Sequence, residues 1–280
     1  AGSLGLLFPP SLPVILYSVV AQVPADRLFV AGLIPGLVLL LIVAAYGMAV
    51  GRRTAATRQP FDARELGRAL WESKWELSIP IVMITLFATG LASLLETSAV
   101  ACAYTIVIAC FIHRDLHPLR GLPQALIKGA AMVGAVLLLL SCAMGLTSWL
   151  VDAQVPDRLL AGLQSHISSK IVFLLVLNVF LLILGSVLEI FSAIVILTPL
   201  VTPLGGAYGV DPVPLGILFP PNLGLGFLFP PVGLNLFLSS SRFQKPMVEL
   251  YRHVLPFLLI LGAGVLLITY VPSLSIGLLD

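Results

Sequence analysis

The sequence has very little charge. Only 10% of its 280 residues are Asp, Glu, Lys or Arg, whereas 59% are hydrophobic, and the mean hydropathy is +1.09. Water-soluble domains carry about 25% charged residues, so this composition excludes a soluble globular fold and indicates a chain embedded in a lipid bilayer. The net charge of +2 is too small for a nucleic-acid-binding surface.

Cysteine and histidine are also scarce. The three cysteines lie inside apolar runs and the four histidines lie in or beside polar loops, and neither set has the spacing of metal ligands. The sequence contains no GxxxxGK phosphate loop and no evident nucleophile–base pair. We therefore expect neither an enzyme nor an ATP-driven pump, and no bound cofactor.

Long apolar runs are what the sequence has in quantity. They cover residues 28–50, 77–93, 97–112, 129–150, 171–188 and 254–272. Since a spanning helix needs about 20 apolar residues, these runs predict an all-α polytopic membrane protein. Region 189–212 is different, because two Thr-Pro pairs and a Gly-Gly split it into short pieces. We expect a re-entrant hairpin there, which makes it a site candidate.

The basic residues are concentrated in one segment. Region 52–74 holds six of the fifteen Lys and Arg residues, so the positive-inside rule places it in the cytoplasm. Residues 61–77 have the pattern of an amphipathic helix on the membrane surface, although a helix in an ordinary connecting loop explains the pattern as well. Loop 113–121 is also basic, whereas 152–158 is compatible with the opposite side of the membrane.

One short sequence motif, the repeated phrase, occurs three times. It reads "LGLLFPPS" at 4–11, "LGILFPPN" at 215–222 and "LGFLFPPV" at 225–232, and the first and third copies match at six of their first seven positions. Prolines remove helical hydrogen bonds, so each break frees carbonyls for a cation and starts a half-helix whose amides suit an anion. Simple kinks in spanning helices are the alternative, but a matched pair favours an internal repeat and a transport site.

Few polar side chains lie within the apolar sequence. Glu96 is a functional carboxylate or a structural hydrogen-bonding group, and Glu189 fits the end of a helix in water. Asn178 is expected to hydrogen-bond between helices. Asn222 and Asn235 flank the Pro-Pro breaks, where they could coordinate an ion or a substrate.

Seven stretches, in this order and spacing, resemble the large membrane subunit of a tripartite ATP-independent periplasmic (TRAP) transporter. They are "GSLGLLFPPS", "RLFVAGLIPGLVLLL", "ESKWEL", "ETSAVACAYTIVIACFIHRDL", "LILGSVLEIFSAIVILTPLVTPL", "YGVDPVPLGILF" and "LGFLFPPVGLNLF". The resemblance implies an elevator-type carrier in the bacterial inner membrane, built from inverted repeats with broken helices and hairpins. It implies uptake of organic acids such as C4-dicarboxylates in symport with sodium ions.

The resemblance also implies partners: a small four-helix membrane subunit and a periplasmic solute-binding protein that delivers the substrate. Sodium ions would bind mainly to backbone carbonyls, near Gly2, Ser3, Gly5, Pro9, Pro10, Glu96, Asn222, Gly226, Pro230 and Pro231. The substrate carboxylate would bind near Ser11, Gly233 and Asn235.

The implied organisation has six parts. In chain order they are the second part of the first repeat (1–50), a cytoplasmic amphipathic surface helix (51–76), spanning helices of the second repeat (77–188), a re-entrant hairpin (189–212), a broken helix (213–240) and a C-terminal spanning helix (241–280). The hairpin of the first repeat would precede Ala1, so the chain is expected to be the C-terminal portion of the subunit.

The chain departs from the family pattern at several positions. "SLLET" (93–97) stands where the family usually has Thr-Pro-Thr-Glu-Ala, and Phe229 replaces a common threonine. Gly224 replaces a frequent acidic residue, and Pro220 and Pro221 replace aliphatic residues. These changes remove oxygen ligands and suggest a divergent subfamily; a stand-alone carrier of related architecture is the alternative.

Overall fold

The protein is built from helices. The computed structural model describes residues 2–9, 11–53, 62–89, 91–230 and 233–279, and every regular element in these ranges is helical. Helices satisfy their backbone hydrogen bonds internally, as a chain in lipid requires. The prediction of an all-α polytopic membrane protein is confirmed.

A 3₁₀ helix, Gly2–Leu7, comes first, and α5 continues into a π-helical turn, Ile108–Ile112. The α-helices in chain order are α1 Leu12–Ala21, α2 Ala25–Arg53, α3 Ala63–Glu72, α4 Lys74–Ala88, α5 Leu94–Val107, α6 Gly121–Asp152, α7 Val155–Gln164, α8 Lys170–Val187, α9 Ile190–Ala207, α10 Pro212–Gly226, α11 Leu234–Phe243, α12 Met247–Tyr270 and α13 Ser273–Ile276.

Within the described ranges, six stretches are long and apolar enough to cross a membrane. They are Ala25–Arg52, Leu95–Ile112, Gly121–Leu150, Lys170–Val187, Ile190–Ala207 and Met247–Tyr270. Five of them coincide with apolar runs of the sequence. The run at 77–93 forms the shorter α4, which has 15 residues and contains Pro80.

The chain forms two compact units, one of Ala1–Arg53 with Leu138–Asp280 and one of Thr54–Leu137. In the larger unit, α10 is the central helix, and all its residues from Leu215 to Gly226 are buried. It packs against the 3₁₀ helix, α1, α2, α8, α9, α12 and α13. A helix that is apolar on every side is expected to occupy such a core position.

Local chemistry explains where α10 begins and how α1 docks on it. The Asp211 carboxylate accepts a hydrogen bond from the Val213 amide at 2.8 Å and caps the helix. The Tyr17 hydroxyl donates to the Pro212 carbonyl at 2.8 Å. The Tyr17 ring occupies the space that a side chain at position 216 would need, because a Cβ at Gly216 would lie 2.3 Å from it.

The smaller unit consists of α3, α4, α5 with its π-helical turn, and the start of α6. Helices α4 and α5 pack together, and the Ser78 and Tyr104 hydroxyls hydrogen-bond across their contact. The His113 Nε2 lies 3.0 Å from the Glu76 carboxylate. Large apolar side chains such as Leu95 and Phe111 are exposed, as expected of surfaces that face lipid or another protein chain.

Region 189–212 differs from the expected hairpin of two short pieces. Residues 190–207 form the single helix α9, and the turn follows at 208–211, where Gly209 has a φ of +67°. The helix continues through both Thr-Pro pairs and packs against α1 and α10, and the Thr198 hydroxyl donates to the Ile194 carbonyl at 2.6 Å. A helical hairpin is therefore formed by α9 and α10, with its tip at 208–211.

Helix α3 covers only part of the predicted surface helix, and residues 54–61 lie outside the described ranges. All ten residues of α3 are exposed, including Leu66, Leu70 and Trp71. The Lys74 Nζ lies 3.8 Å from the centre of the Trp71 ring. A solvent-exposed apolar face of this kind suits a membrane surface, and this assignment stays a prediction.

Candidate functional site

The helical structure is interrupted twice near the Pro-Pro pairs, and the first interruption lies between the 3₁₀ helix, which ends at Leu7, and α1, which begins at Leu12. Phe8 and Pro9 are not helical, and α1 begins after Ser11. The Ser11 hydroxyl donates to the Leu6 carbonyl and accepts a hydrogen bond from the Val14 amide at 3.4 Å. This buried hydroxyl therefore connects the end of one helical piece to the start of the next.

The end of the 3₁₀ helix and the residue that follows it pack against two glycines of α2. A Cβ at Gly32 would lie 2.9 Å from the Leu7 carbonyl oxygen, and a Cβ at Gly36 would lie 2.8 Å from the Phe8 ring. Small residues four positions apart allow this close approach between segments in a membrane. The first interruption is thus fixed against α2 on one side, while its 3₁₀ helix also packs against α10.

The second interruption separates α10 from α11. Helix α10 ends at Gly226, α11 begins at Leu234, and Gly233 precedes α11 with a φ of +52°. Residues 227–230 form a turn in which the Leu228 and Phe229 amides donate to the Leu225 and Gly226 carbonyls at 3.0 and 2.9 Å. Since glycine tolerates a positive φ, Gly233 can adopt this backbone conformation immediately before α11.

Two backbone carbonyls converge at Gly233. A Cβ at this glycine would lie 3.1 Å from the Phe227 oxygen and 3.1 Å from the Phe229 oxygen. Pro230 and Pro231 have no amide hydrogen to donate to these oxygens, and the Gly233 amide donates instead to the Ser186 carbonyl at 3.3 Å. Converging carbonyl oxygens are the ligands that a hard cation prefers.

Helix α8 holds α10 just before this interruption. A Cβ at Gly226 would lie 2.5 Å from the carbonyl carbon of Gly185, and a Cβ at Gly185 would lie 2.8 Å from the Cα of Leu223. The two backbones are therefore in direct contact. Together with the hydrogen bond to the Ser186 carbonyl, this contact attaches both ends of the interruption to α8.

A buried polar cluster lies about one turn before the C-terminal end of α10. The Asn222 Nδ2 donates to the Asn178 Oδ1 and to the Leu218 carbonyl, both at 2.8 Å. The Thr269 hydroxyl donates to the same Asn178 oxygen at 3.2 Å and to the Val265 carbonyl at 2.8 Å. Asn178, Asn222 and Thr269 thus connect α8, α10 and α12, as expected of Asn178 from the sequence.

The larger unit contains most of the sequence-predicted site residues. Gly2, Ser3 and Gly5 are on the 3₁₀ helix, Pro9 is in the first interruption, Pro230 is in the second, and Asn235 is in the first turn of α11. Pro10 and Pro231 lie outside the described residues.

Two carboxylates have local partners. Glu96 belongs to the smaller unit, is exposed, and forms a capping box at the start of α5, where its Oε2 accepts from the Ser93 amide and hydroxyl at 2.8 Å. The Glu189 carboxylate accepts from the Phe191 and Ser192 amides at 3.0 and 3.2 Å and caps α9. For Glu96, this geometry favours the structural alternative.

The sequence predicts that carbonyls are freed near the Pro-Pro pair, but it does not identify four contributors to the second interruption: the carbonyls of Phe227, Phe229 and Ser186, and the backbone of Gly185. The sequence comparison treats Phe229 only as the loss of a hydroxyl ligand, whereas the structure places its carbonyl oxygen 3.1 Å from the position of a Cβ at Gly233. A sequence signal was present for Gly185, because "LGS" is the only glycine-containing stretch in the run 171–188. Nothing in the sequence specifies that Ser186 uses its carbonyl.

The chain matches a family model over residues 1–274. The model is described as the DctM component of the tripartite ATP-independent periplasmic transporter. This match covers nearly all of the described helices, from the 3₁₀ helix to α13.

Curated relatives of the chain are named as permease proteins of TRAP transporters. An isethionate TRAP transporter permease protein of Oleidesulfovibrio alaskensis is 34% identical over 98% of this chain and 43% of its own length. A C4-dicarboxylate TRAP transporter large permease protein of Pseudomonas aeruginosa is 32% identical over 99% and 65%. A 2,3-diketo-L-gulonate TRAP transporter large permease protein of Escherichia coli is 28% identical over 98% and 65%.

The chain therefore spans less than two thirds of the length of these relatives. All three are named as transporter permeases, which agrees with the expectation that the chain is not an enzyme. Their names give three different substrates.

Proposed function

The chain belongs to the DctM-component family of TRAP transporters, and from this premise we propose that it takes part in secondary active transport across the bacterial inner membrane. In this proposal, sodium ions drive the uptake of a small organic acid. The acid is delivered by a periplasmic solute-binding protein, and a small membrane subunit completes the assembly. The carrier moves its substrate by an elevator motion of a domain built from inverted repeats.

The convergence of the Phe227 and Phe229 carbonyls at Gly233 is the observation that carries the proposal. It supplies oxygen ligands for a cation at the end of α10, where the helix dipole also favours positive charge. A site of this kind needs no acidic side chain. This agrees with a sequence in which only 10% of residues are charged.

The start of α11 suits the substrate anion. The amides of the first turn have no acceptor within their own helix, and Leu234 and Asn235 occupy that turn. The Gly233 amide already donates to the Ser186 carbonyl. We therefore propose that the Leu234 and Asn235 amides, with the Asn235 side chain, hold an acidic group of the substrate.

The first interruption supplies the second half of the proposed site. Its 3₁₀ helix and α1 both pack against α10. The Ser11 hydroxyl is occupied by the Leu6 carbonyl and the Val14 amide, so we propose that it holds the two pieces of this element together. Cations would bind at the carbonyl end of this element, as at the second interruption.

The names of the relatives support an organic acid as substrate without selecting one. Isethionate is a sulfonate, whereas the C4-dicarboxylates and 2,3-diketo-L-gulonate are carboxylates. Backbone amides bind either anion, because they recognise negative charge and oxygen geometry rather than the carbon skeleton. We propose a small carboxylate and include a sulfonate in the test.

The test uses the complete transporter in liposomes, with its binding protein and an imposed sodium gradient. We expect Gly233→Ala to raise the sodium concentration for half-maximal uptake by about tenfold or more, since a contact to a charged group contributes about 1.5–3 kcal/mol. Its Cβ would displace the Phe227 and Phe229 carbonyls. Gly209→Ala is the matched control, because Gly209 also has a positive φ but has no atom within 4 Å of its missing Cβ.

Equal shifts in both variants would show that backbone strain, and not the carbonyls, affects transport. Uptake by the wild-type assembly without a sodium gradient would contradict the coupling. Uptake without the binding protein would favour the alternative, a stand-alone carrier of related architecture.

A further inference from the structure

Two neighbouring cavities lie along α12. The first, of about 320 Å³, is lined by Leu228 and Pro230 of the second interruption and by α12 residues from Tyr251 to Leu258. The second, of about 310 Å³, continues along α12 from Leu258 to Leu266, with walls from α8 and α10. Leu258 lines both cavities, so we treat them as one feature, the α12 groove.

The α12 groove is basic at one end. Arg252 lines that end and is exposed. The stretch 242–253 contains three Lys or Arg residues and one acidic residue, Glu249, whose carboxylate lies 3.2 Å from the Lys245 Nζ. This end of the groove is therefore complementary to an anionic group.

The remainder of the α12 groove is apolar. Its lining consists of aliphatic residues and the small Gly262 and Ala263, with Asn178 and Asn222 as the polar exceptions. Those two side chains hydrogen-bond to each other at 2.8 Å, which reduces their need for a polar ligand. A Cβ at Gly262 would meet only the Leu225 Cδ2, at 3.8 Å, so the missing side chain leaves space in the groove itself.

We propose that the α12 groove binds one anionic phospholipid, with its phosphate on Arg252 and an acyl chain along α12. The helix from Leu255 to Leu266 rises by about 16 Å, and one leaflet of the hydrocarbon core is about 15 Å thick. An acyl chain therefore fills the apolar part while the head group stays at the basic end. A small soluble anion would leave the apolar part uncovered.

This site goes beyond the transport proposal, because it requires only a membrane-embedded chain. Leu228 and Pro230 form part of its wall, so the bound lipid contacts the second interruption directly. The lipid then stabilises the turn that carries the Phe227 and Phe229 carbonyls.

The test is native mass spectrometry of the full-length subunit in detergent, with phosphatidylglycerol and phosphatidylcholine added at equal concentrations. We expect the wild-type protein to retain one phosphatidylglycerol molecule in preference to phosphatidylcholine. Arg252→Gln should lower this retention by about fivefold, the effect of one basic residue at a membrane surface. The control Arg242→Gln removes an equal charge from the same stretch outside the groove and should have a much smaller effect.

A second pair of variants tests the apolar part. Gly262→Leu fills the groove and should lower phosphatidylglycerol retention, whereas Gly134→Leu, at a position of α6 with no atom within 4 Å of its missing Cβ, should not. Circular dichroism confirms that each variant is folded.

Four outcomes would overturn the proposal. Three of them are equal retention of both lipids by the wild-type protein, equal losses in Arg252→Gln and Arg242→Gln, and displacement of the lipid by glycerol phosphate at the same concentration. Stoichiometric retention of a polypeptide in place of lipid would also overturn it.

Discussion

At the scale of the residue, side chains of the same type have different roles. Asn222 is 2% exposed and forms an inter-helix hydrogen bond, whereas Asn235 is half-buried in the first turn of α11. The sequence placed both near an ion or a substrate because both flank a Pro-Pro pair. The structure supports a positioning role for Asn222, since its amide holds α10 to α8 through Asn178.

Asn222→Ala should lower the free energy of unfolding by about 0.5–1.5 kcal/mol, because it removes one inter-helix hydrogen bond within the membrane. Unfolding by sodium dodecyl sulfate, followed by circular dichroism, measures this change. In combination with Asn178→Ala, the two effects should be less than additive, since the residues share the bond. Asn235→Ala is the control, and an equal loss in that variant would contradict the positioning role.

At the scale of the element, the contact between α8 and α10 determines where the second interruption lies. Gly185 and Gly226 bring the two backbones together, and the Ser186 carbonyl accepts the Gly233 amide at 3.3 Å. Both glycines are buried. The close contact therefore depends on the absence of a side chain at either position.

Gly226→Ala should destabilise the protein by about 1–3 kcal/mol, because the new methyl group forces two helix backbones apart. The same detergent unfolding assay measures the effect. Gly134→Ala, on α6, should instead be neutral or stabilising by up to about 1 kcal/mol, since alanine favours the helix and the space around Gly134 is open. A loss of stability in Gly226→Ala no greater than in Gly134→Ala would contradict the close contact.

At the scale of the whole molecule, many large apolar side chains are exposed on the protein surface. None of the most apolar window of α6 is buried within the protein, and Leu138, Met144 and Trp149 on that helix are all more than half exposed. Such a surface is stable only in contact with lipid or another membrane protein. By the positive-inside rule, the basic residues at 52–74 predict which end of the spanning helices is cytoplasmic.

A single cysteine at position 73 tests this orientation. In a protein whose native cysteines Cys102, Cys110 and Cys142 are replaced by alanine, Ser73→Cys should react with a membrane-impermeant maleimide in inverted vesicles and not in intact cells. Ser165→Cys, after the acidic-leaning stretch 152–158, should show the opposite pattern. Labelling of Ser73→Cys from outside intact cells would contradict the cytoplasmic assignment.

Much of the protein could be predicted from its sequence. The membrane environment and the helical class follow from composition, because a bilayer allows few other structures for a chain with so little charge. Most spanning helices follow from the length of the apolar runs. The family follows from seven ordered stretches, and the first and third copies of the repeated phrase coincide with interruptions in the structure.

The middle copy shows what only the tertiary structure decided. Its Pro220 and Pro221 lie inside α10, although "LGILFPPN" is locally almost the same as the copies that end a helix. Helices on all sides bury this copy and hold it helical, and Asn222 hydrogen-bonds back to the Leu218 carbonyl. At the third copy, α8 supplies a backbone contact and a carbonyl acceptor that support a turn. Each proline removes one backbone hydrogen bond in the middle copy as in the third copy, and the packed neighbours determine whether the helix continues.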